Sequence, residues 1–293
     1  MAPRVSVITP FVDHASLLGE AIESVRAQRF DDWELILVDD GATDESRAIA
    51  DRFAAADPAR VRVLPPAAER RGVAAARNRG VAAATGALIA FLDADDVFTP
   101  DKLGVEVAEL DAHPGAAMLY SRTHWWHDGI RGYDFTERLG VRANRVHPPP
   151  YLLNRVILLK KGDIPCTCGV LIRKHAIDAV GGFDERFHLY EDQTLWAKIF
   201  LTYPIYVSNA CHARYRQHAA STSARAEAAG EYDRYRAHGA QDVFFAWLEA
   251  YVRDQGGDPS VLAAIERARV LSHRPAPGPL RLLLGRLRRR LGA

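Results

Sequence analysis

The stretch Leu88-Ile89-Ala90-Phe91-Leu92-Asp93-Ala94-Asp95-Asp96 indicates the fold most directly. Its apolar run predicts a buried strand, and three carboxylates follow at the carboxyl end of that strand. An earlier stretch repeats the arrangement, because Leu35-Ile36-Leu37-Val38 runs into Asp39-Asp40-Gly41. Ligands of open α/β sheets bind beyond the carboxyl ends of the strands. We therefore expect both acidic groups to face one binding site.

Strand and helix patterns alternate outward from these two runs. Further strands are predicted at 5–8 and 61–64. Helices are predicted at 17–25 and 73–84. Another helix is predicted to begin at Thr43 or Asp44 and to end before Pro58, and a fourth to begin with Thr99 as its N-cap. Residues 116–163 are interpreted as one or two strands with a long excursion, followed by a strand at 170–172, a helix at 191–203 and helical sequence after about 230. This order predicts an α/β fold with a mostly parallel sheet flanked by helices.

The bulk composition is that of an ordinary globular protein. The 293 residues are 48% hydrophobic and 26% charged, with a net charge of +1, so a nucleic-acid partner is not expected. Three cysteines cannot form a disulfide framework, which favours a reducing compartment. Because we find neither a secretory signal nor the roughly 20 apolar residues of a membrane span, we expect a cytoplasmic location.

The acidic strand ends suggest a metal and nucleotide site. Asp93 and Asp95 are one residue apart and can aim oxygens at one hard cation, Mg²⁺ or Mn²⁺, which would neutralise a diphosphate leaving group. Asp39 can accept hydrogen bonds from a base or ribose. For each strand end the alternative is an ordinary capping turn, and the spacing alone does not separate the two.

Two later groups of residues can likewise be interpreted as functional or as purely structural. Arg77 and Asn78 end the run Gly72-Val73-Ala74-Ala75-Ala76 and can reach a ligand, although the Ala-rich helix otherwise indicates packing. Glu191-Asp192 begins a predicted helix, where the dipole favours ionised carboxylates. That pair is therefore either a helix cap or a general base.

Taken in order, these motifs resemble glycosyltransferase family 2 over residues 4–223. The matching elements are Val5-Ser6-Val7-Ile8-Thr9-Pro10, Val38-Asp39-Asp40-Gly41-Ala42-Thr43-Asp44, Gly72 to Asn78, Phe91-Leu92-Asp93-Ala94-Asp95-Asp96, Val180-Gly181-Gly182-Phe183-Asp184-Glu185 and Glu191-Asp192. The resemblance implies a GT-A fold and an inverting transfer from a nucleotide-sugar to a glycan or lipid-linked acceptor, with Mn²⁺ or Mg²⁺ as cofactor. Such relatives serve cell-surface polysaccharide or glycoconjugate synthesis.

The resemblance also implies roles for single residues. The residues that it implies for binding the nucleotide-sugar donor are Thr9, Pro10, Phe11, Asp39, Arg71, Arg77, Asn78, Asp93, Ala94 and Arg216. Asp39 would contact the nucleobase of the donor, which is expected to be uracil. The metal would be held by Asp95, with Asp93 and His218. Asp192 would deprotonate the acceptor, with Glu191 beside it.

The same motifs predict how the chain divides. We expect a glycosyltransferase domain at 1–223, with a donor half at 1–115 and an acceptor half at 116–223, and a helical extension at 224–293. The last segment, 280–293, has five arginines and no acidic residue. It is equally well interpreted as a basic amphipathic helix that touches the inner face of a membrane and as a solvated tail.

Two alternative functions remain at this point. A nucleotidyltransferase can also use paired carboxylates on an α/β sheet, but it is expected to have a Gly- and Lys/Arg-rich phosphate loop, and Thr9-Pro10-Phe11-Val12 offers none. The second alternative function is that of a catalytically silent sugar-nucleotide-binding protein. The presence of both Asp95 and Asp192 argues against it.

Overall fold

The computed structural model describes residues 2–67, 69–127, 133–233 and 237–273. The basic segment 280–293 lies outside the described residues. Ten strands form one sheet. They are β1 (Val5–Phe11), β2 (Trp33–Asp39), β3 (Val61–Leu64), β4 (Leu88–Phe91), β5 (Val97–Phe98), β6 (Met118–Trp126), β7 (Phe135–Thr136), β8 (Arg145–His147), β9 (Val170–Arg173) and β10 (Ile205–Arg216).

Helices cover both faces of the sheet. They are α1 (Ala15–Arg26), α2 (Ser46–Ala56), α3 (Val73–Ala83), α4 (Lys102–Asp111), α5 (Lys174–Val180), α6 (Glu191–Thr202), α7 (Thr222–Ala228), α8 (Gly239–Asp254) and α9 (Pro259–Ser272). A π-helical segment, Leu153–Leu158, and a 3₁₀ turn, Thr167–Gly169, complete the described elements. None of the helices in the described ranges combines the length and the apolar character needed to cross a membrane.

The sheet joins a parallel half to a mixed half. Strands β3, β2, β1 and β4 are adjacent and parallel, as the sequence predicts. Strand β9 then lies antiparallel to both β4 and β6, and β10 pairs parallel with β6. In register, Phe11 lies beside Asp39 and Ile8 beside Phe91. The acidic groups that follow β2 and β4 therefore meet at one edge, and the predicted α/β sheet with flanking helices is confirmed.

Alternation along the strands builds two hydrophobic layers. In β1, Val5 and Val7 face the layer formed with α1, α2 and α4, whereas Ile8 faces the layer formed with α3 and α6. Successive side chains of a strand point to opposite faces, so a strand buried on both sides is apolar throughout. In β2 the run 35–38 is accordingly apolar without interruption, whereas β1 also buries the polar side chains of Ser6 and Thr9.

The C-terminal helices share the second of these layers. Phe244 and Leu248 of α8 and Ile265 of α9 are buried in the same cluster as Val156 and Ile199. Helix α7 extends across the predicted boundary at 223 and 224. The division of the chain at that point stays a prediction, but α8 and α9 pack directly on the sheet's helical layer.

Three local predictions differ from the structure. The described part of 116–163 contains three strands, β6, β7 and β8, rather than one or two. Thr99 does not cap a helix, since α4 begins at Lys102 after Asp101. The backbone N–H of Thr99 instead donates to the carbonyl of His212 at 2.8 Å, which continues the pairing of β5 with β10. Strand β10 itself is not anticipated, because its polar second half, with a bulge between Val207 and Cys211, lacks a clean strand pattern.

The contact between α3 and β1 gives the first testable prediction. A Cβ added at Gly80 would lie 2.3 Å from Ile8 Cγ2 and 3.3 Å from Val38 Cγ2, within the buried layer. We expect Gly80→Ala to lower the free energy of unfolding by about 1–3 kcal/mol, despite the better helix propensity of alanine. Guanidinium denaturation followed by circular dichroism measures the change.

Gly19 in α1 is the matched control. Nothing lies within 4 Å of a Cβ added there, so Gly19→Ala is expected to be neutral or to stabilise by up to about 1 kcal/mol. Equal effects of the two substitutions would show that the close approach of α3 to β1 does not limit stability.

Candidate active site

Asp39 ends β2 and organises the turn that follows it. Its carboxylate is buried, and Oδ1 accepts hydrogen bonds from the backbone N–H groups of Gly41 and Ala42, both at 2.9 Å. Arg47 of α2 approaches Oδ2 at 3.3 Å. The positive φ of Gly41, +92°, lets the chain make this tight turn. Asp39 is thus a turn-organising residue at the site edge, as the capping alternative predicts.

The end of β1 lies beside this turn. Thr9 is buried, and its hydroxyl has no hydrogen-bond partner among the described residues. The Phe11 ring is 2% exposed and packs in the layer with α1, while its carbonyl accepts from the backbone N–H of Asp40 at 3.0 Å. Of the predicted opening residues, Phe11 therefore presents backbone rather than its ring at the strand end.

Asp95 faces His218 across the loop that follows β4. Asp95 Oδ2 and His218 Nε2 are 2.8 Å apart. Burial by itself would raise the pKa of Asp95, but the hydrogen bond from His218 and the charges of His14 and His218 lower it below its ordinary value. Two of the three predicted metal-binding side chains, 123 residues apart in sequence, are therefore brought together.

Arg216 fastens the end of β10 to this loop. Its backbone N–H donates to Asp96 Oδ1 and its Nε–H to the carbonyl of Asp95, both at 2.9 Å. The guanidinium forms an ion pair with Glu20 and stacks 4.2 Å from the ring centroid of Trp126. Because the side chain is buried, Arg216 holds the loop in place from behind rather than reaching freely into solvent.

The residues present fit a divalent cation in part. Asp95 and His218 supply an oxygen and a nitrogen ligand, and nitrogen favours Mn²⁺ over Mg²⁺, which prefers oxygen. Both oxygens of Asp93 are already engaged, by Arg77 Nη2 at 2.7 Å and by Thr167 Oγ1 at 2.9 Å. Within the described residues no group of three or more His, Cys, Asp or Glu converges on a metal position. An ion here would need further ligands from the diphosphate and water.

Arg77 joins the two acidic motifs. Its side chain is 3% exposed, and Nη1 donates to Glu191 Oε1 at 3.1 Å while Nη2 donates to Asp93. The guanidinium also lies 5.5 Å from the ring centroid of Phe183. The charges of Asp93 and Glu191 raise the pKa of Arg77 against the opposing effect of burial. The cation is therefore permanent, and it sets the spacing between the loop after β4 and the start of α6.

Asn78 holds the adjoining acceptor-side loop. Its amide oxygen accepts from the backbone N–H of Phe183 at 2.9 Å, and its amide nitrogen donates to the carbonyl of Phe183 and to Glu185 Oε1, both at 3.0 Å. Arg71 Nη2 reaches the other oxygen of Glu185 at 2.5 Å. Two predicted donor-side residues thus clamp the loop 182–185, and Gly182, with φ +66°, permits the close approach of Asn78.

Glu191 and Asp192 form the first turn of α6, where the sequence predicts them. Burial and the neighbouring Glu191 raise the pKa of Asp192 to about 7. Burial also raises the pKa of Glu191, against the effect of Arg77. Asp192 Oδ1 accepts from the backbone N–H of Gln193 at 2.7 Å, whereas Oδ2 accepts no hydrogen bond from the described residues. That oxygen can serve as a proton acceptor near neutral pH.

Two neighbours of the site are not anticipated from sequence. Thr167 orients Asp93 from the turn that precedes β9, and His14 lies close enough to Asp95 to lower the pKa of that carboxyl electrostatically. A threonine between two cysteines and a histidine before a helix carry no motif.

Comparison with known proteins agrees with this geometry. The family model described as Glycosyl transferase family 2 matches residues 6–181. The chain is 32% identical over 200 residues to the putative glycosyltransferase EpsE of Bacillus subtilis, which covers 68% of this chain and 67% of that protein. The match to an uncharacterized protein of Sinorhizobium fredii covers 17% of that protein, and the match to an uncharacterized glycosyltransferase of Nostoc covers 30%, so the chain spans only a part of the length of these relatives.

Solved structures share the fold. The S. aureus TarS fragment 1–349 in complex with UDP superposes with a TM-score of 0.59, at 21% identity, over 74% of this chain and 61% of that one. The mannosyltransferase PcManGT from Pyrobaculum calidifontis, in complex with GDP-Man and Mn²⁺, gives 0.57 at 19% identity, over 97% and 79%. The predicted GT-A fold with C-terminal helices is confirmed.

The bridging role of Arg77 can be tested through stability. Arg77→Ala leaves two partly buried carboxylates without their cation, so we expect a loss of about 3 kcal/mol in the free energy of unfolding. Arg71→Ala is the comparison, because the Arg71 side chain is 60% exposed and its pair with Glu185 is expected to contribute less than about 1 kcal/mol. Urea titrations at pH 8 compare the two, and equal losses would contradict the bridge.

Proposed function

The chain belongs to glycosyltransferase family 2, and on this premise we propose that it is an inverting glycosyltransferase. The donor is a nucleotide-sugar, with UDP as the expected nucleotide, and the acceptor is a hydroxyl of a glycan or lipid-linked saccharide. One observation carries the proposal. Arg77 ties Asp93, on the donor side, to Glu191, the neighbour of the candidate base Asp192.

The donor would lie over the carboxyl ends of β1, β2 and β4. Thr9 and Pro10 would line the nucleoside pocket with Asp39, and buried Ala94 leaves room for the backbone between the carboxylates to approach the ligand. Support for UDP comes from the bound UDP of TarS, while PcManGT binds GDP-Man. Donor panels with both UDP and GDP therefore test the identity of the nucleobase. We propose that Arg216 acts on the donor by positioning the loop after β4.

We propose that Asp95 and His218 hold a divalent cation, with Mn²⁺ favoured. The bound ion would offset the charge of the departing nucleoside diphosphate. Asp93, held by Arg77 and Thr167, is better suited to the ribose hydroxyls than to the ion, because its oxygens are already oriented by two donors. The Mn²⁺ bound to PcManGT supports the choice of metal.

Asp192 would act as the general base. Its free Oδ2 would take the proton of the acceptor hydroxyl while that oxygen attacks the anomeric carbon from the side opposite the leaving group. A base with a pKa near the working pH combines a sufficient ionised fraction with sufficient basicity. Glu191 supports this role by its charge, which raises the pKa of Asp192.

Substitution of Asp192, the candidate general base, gives the first test of this function. Asp192→Asn is expected to reduce nucleoside diphosphate release from a panel of UDP- and GDP-sugars by about 10²–10⁴-fold, because proton removal is lost. The dissociation constant for the donor should stay within about twofold, since the donor does not depend on the base. Asp178→Asn on α5, an exposed carboxylate, is the control.

The pH profile supplies a second readout of the same prediction. Because the carboxylate is the active form, wild-type kcat/KM should rise about tenfold per pH unit below pH 7 and level off above it. Turnover in Asp192→Asn close to that of the wild type would refute the assignment of the base. Donor binding by the wild type with no release under any condition would identify a silent binding protein instead.

The cation site is tested by calorimetry with UDP and with GDP. Mn²⁺ should tighten nucleotide binding to the wild type, and Asp95→Ala should remove that enhancement, about tenfold or more, while leaving metal-free binding nearly unchanged. His218→Ala should remove part of it. His175→Ala, at an exposed position on α5, is the control. Full Mn²⁺ enhancement in Asp95→Ala would contradict the site.

A further inference from the structure

A cavity lies on the C-terminal side of the molecule and is lined in part by Asp184 of the loop that Asn78 clamps. Its volume is about 580 Å³, within the range of small-molecule pockets. It is an open cleft lined by the loop that includes Asp184, by Lys198 of α6 and by one face of α8. Nothing in the donor or base chemistry uses this space.

Aromatic rings form one wall of this cavity. Trp247 and Tyr251 are one turn apart on α8, and their rings are stacked, with centroids 5.7 Å apart and planes inclined by 14°. Phe187 packs edge-on against Trp247 at 5.6 Å. The indole N–H of Trp247 donates to Asp184 Oδ2 at 2.8 Å, which fixes the ring orientation. The wall is thus a preoriented aromatic surface.

Charged groups of both signs complete the lining. Lys198 lies 6.0 and 5.9 Å from the ring centroids of Trp247 and Tyr251, and its ammonium donates to the carbonyl of Gly182 at 2.8 Å. Arg186 pairs with Asp184 at 2.6 Å, and Asp254 is at the rim. The two cations and two carboxylates balance, so the cavity does not select an anion such as a nucleotide.

This combination matches one ligand class. A sugar ring offers an apolar C–H face to an aromatic wall and hydroxyl groups to charged hydrogen-bonding partners. A lipid chain would desolvate Lys198 and Asp254 without replacing their hydrogen bonds. We propose that the cavity is a carbohydrate-binding subsite, which holds a part of the acceptor glycan remote from the reacting hydroxyl. The acceptor role rests on the function proposed above.

The path from this subsite to the base follows α6. Asp192 is in the first turn, and Lys198 is six residues later, about 9 Å further along the helix axis. The backbone N–H of Asp184 donates to Thr194 Oγ1 at 3.0 Å, so the loop and the helix move together. The proposal requires a glycan of a few sugar units to contact the cavity while its end reaches Asp192.

Binding is tested without reference to catalysis. Full-length protein labelled with 5-fluorotryptophan is titrated with methyl α-mannoside, mannotriose, chitotriose and cellotetraose, and the Trp247 resonance is assigned with Trp247→Phe. We expect at least one oligosaccharide to shift this resonance saturably. Ala250→Arg, at an exposed lining position, should weaken that binding about tenfold or more. Ala263→Arg, exposed on α9 outside the cavity, should leave it unchanged.

The outcomes separate this inference from the proposed function. No shift with any of the four saccharides, or the same affinity in Ala250→Arg, overturns the subsite. If a bound oligosaccharide is also an acceptor, Ala250→Arg should raise its KM about tenfold and leave kcat within about twofold. Transfer with an unchanged KM would refute the subsite while the transferase stands. Saccharide binding at Trp247 without transfer from any donor would support the site and refute the transferase.

Discussion

The buried guanidinium of Arg77 is the interaction on which the rest of the site depends. It lies between Asp93 and Glu191, so it fixes the distance from the loop after β4 to the first turn of α6. One cation does not neutralise the three carboxylates of Asp93, Glu191 and Asp192. Burial, together with the excess negative charge, is why Asp192 holds its proton up to a pH near 7. The ion pairs of Arg77 thus determine the spacing of the site, and Arg77 opposes the rise in the pKa of Asp192 that burial and Glu191 cause.

Around this interaction the site is supported from several sides. Asn78 and Arg71 hold the loop with Phe183 and Glu185, and Arg216 holds the loop with Asp95 from behind. Most of the predicted polar residues therefore position the loops of the candidate site. Such support keeps the acidic groups in one arrangement before a ligand arrives, which reduces the cost of ordering them on binding.

The C-terminal helices take part in this support. Helix α8 packs in the same hydrophobic layer as α6, and its Trp247 bonds to Asp184 in the loop that Asn78 clamps. The acceptor side of the sheet is thus continuous with the C-terminal region. If the aromatic cavity between them binds a glycan, the region after residue 223 takes part in substrate choice as well as in stability.

The sequence alone was sufficient to predict strands β1 to β4, which form the parallel half of the sheet. The runs 35–38 in β2 and 88–91 in β4 are apolar, because a strand buried on both faces needs no polar residue, and β-branched residues mark β1 and β3. The ordered motifs then located Asp39, Asp93, Asp95 and Asp192 at strand and helix ends, and the structure has these residues there. The end of α6 was also close to its prediction, within a residue.

Only the tertiary structure decided which side chains meet. The pairing of Arg77 with Glu191 joins residues 114 apart, and that of Asp95 with His218 joins residues 123 apart. Thr167, strand β10 and the aromatic wall at Trp247 have no local pattern that indicates their place. A local pattern reports the burial and the backbone preference of its own segment. Hydrogen bonds, ion pairs and pKa shifts depend instead on neighbours from distant segments, and these are set only when the sheet and its helices have packed.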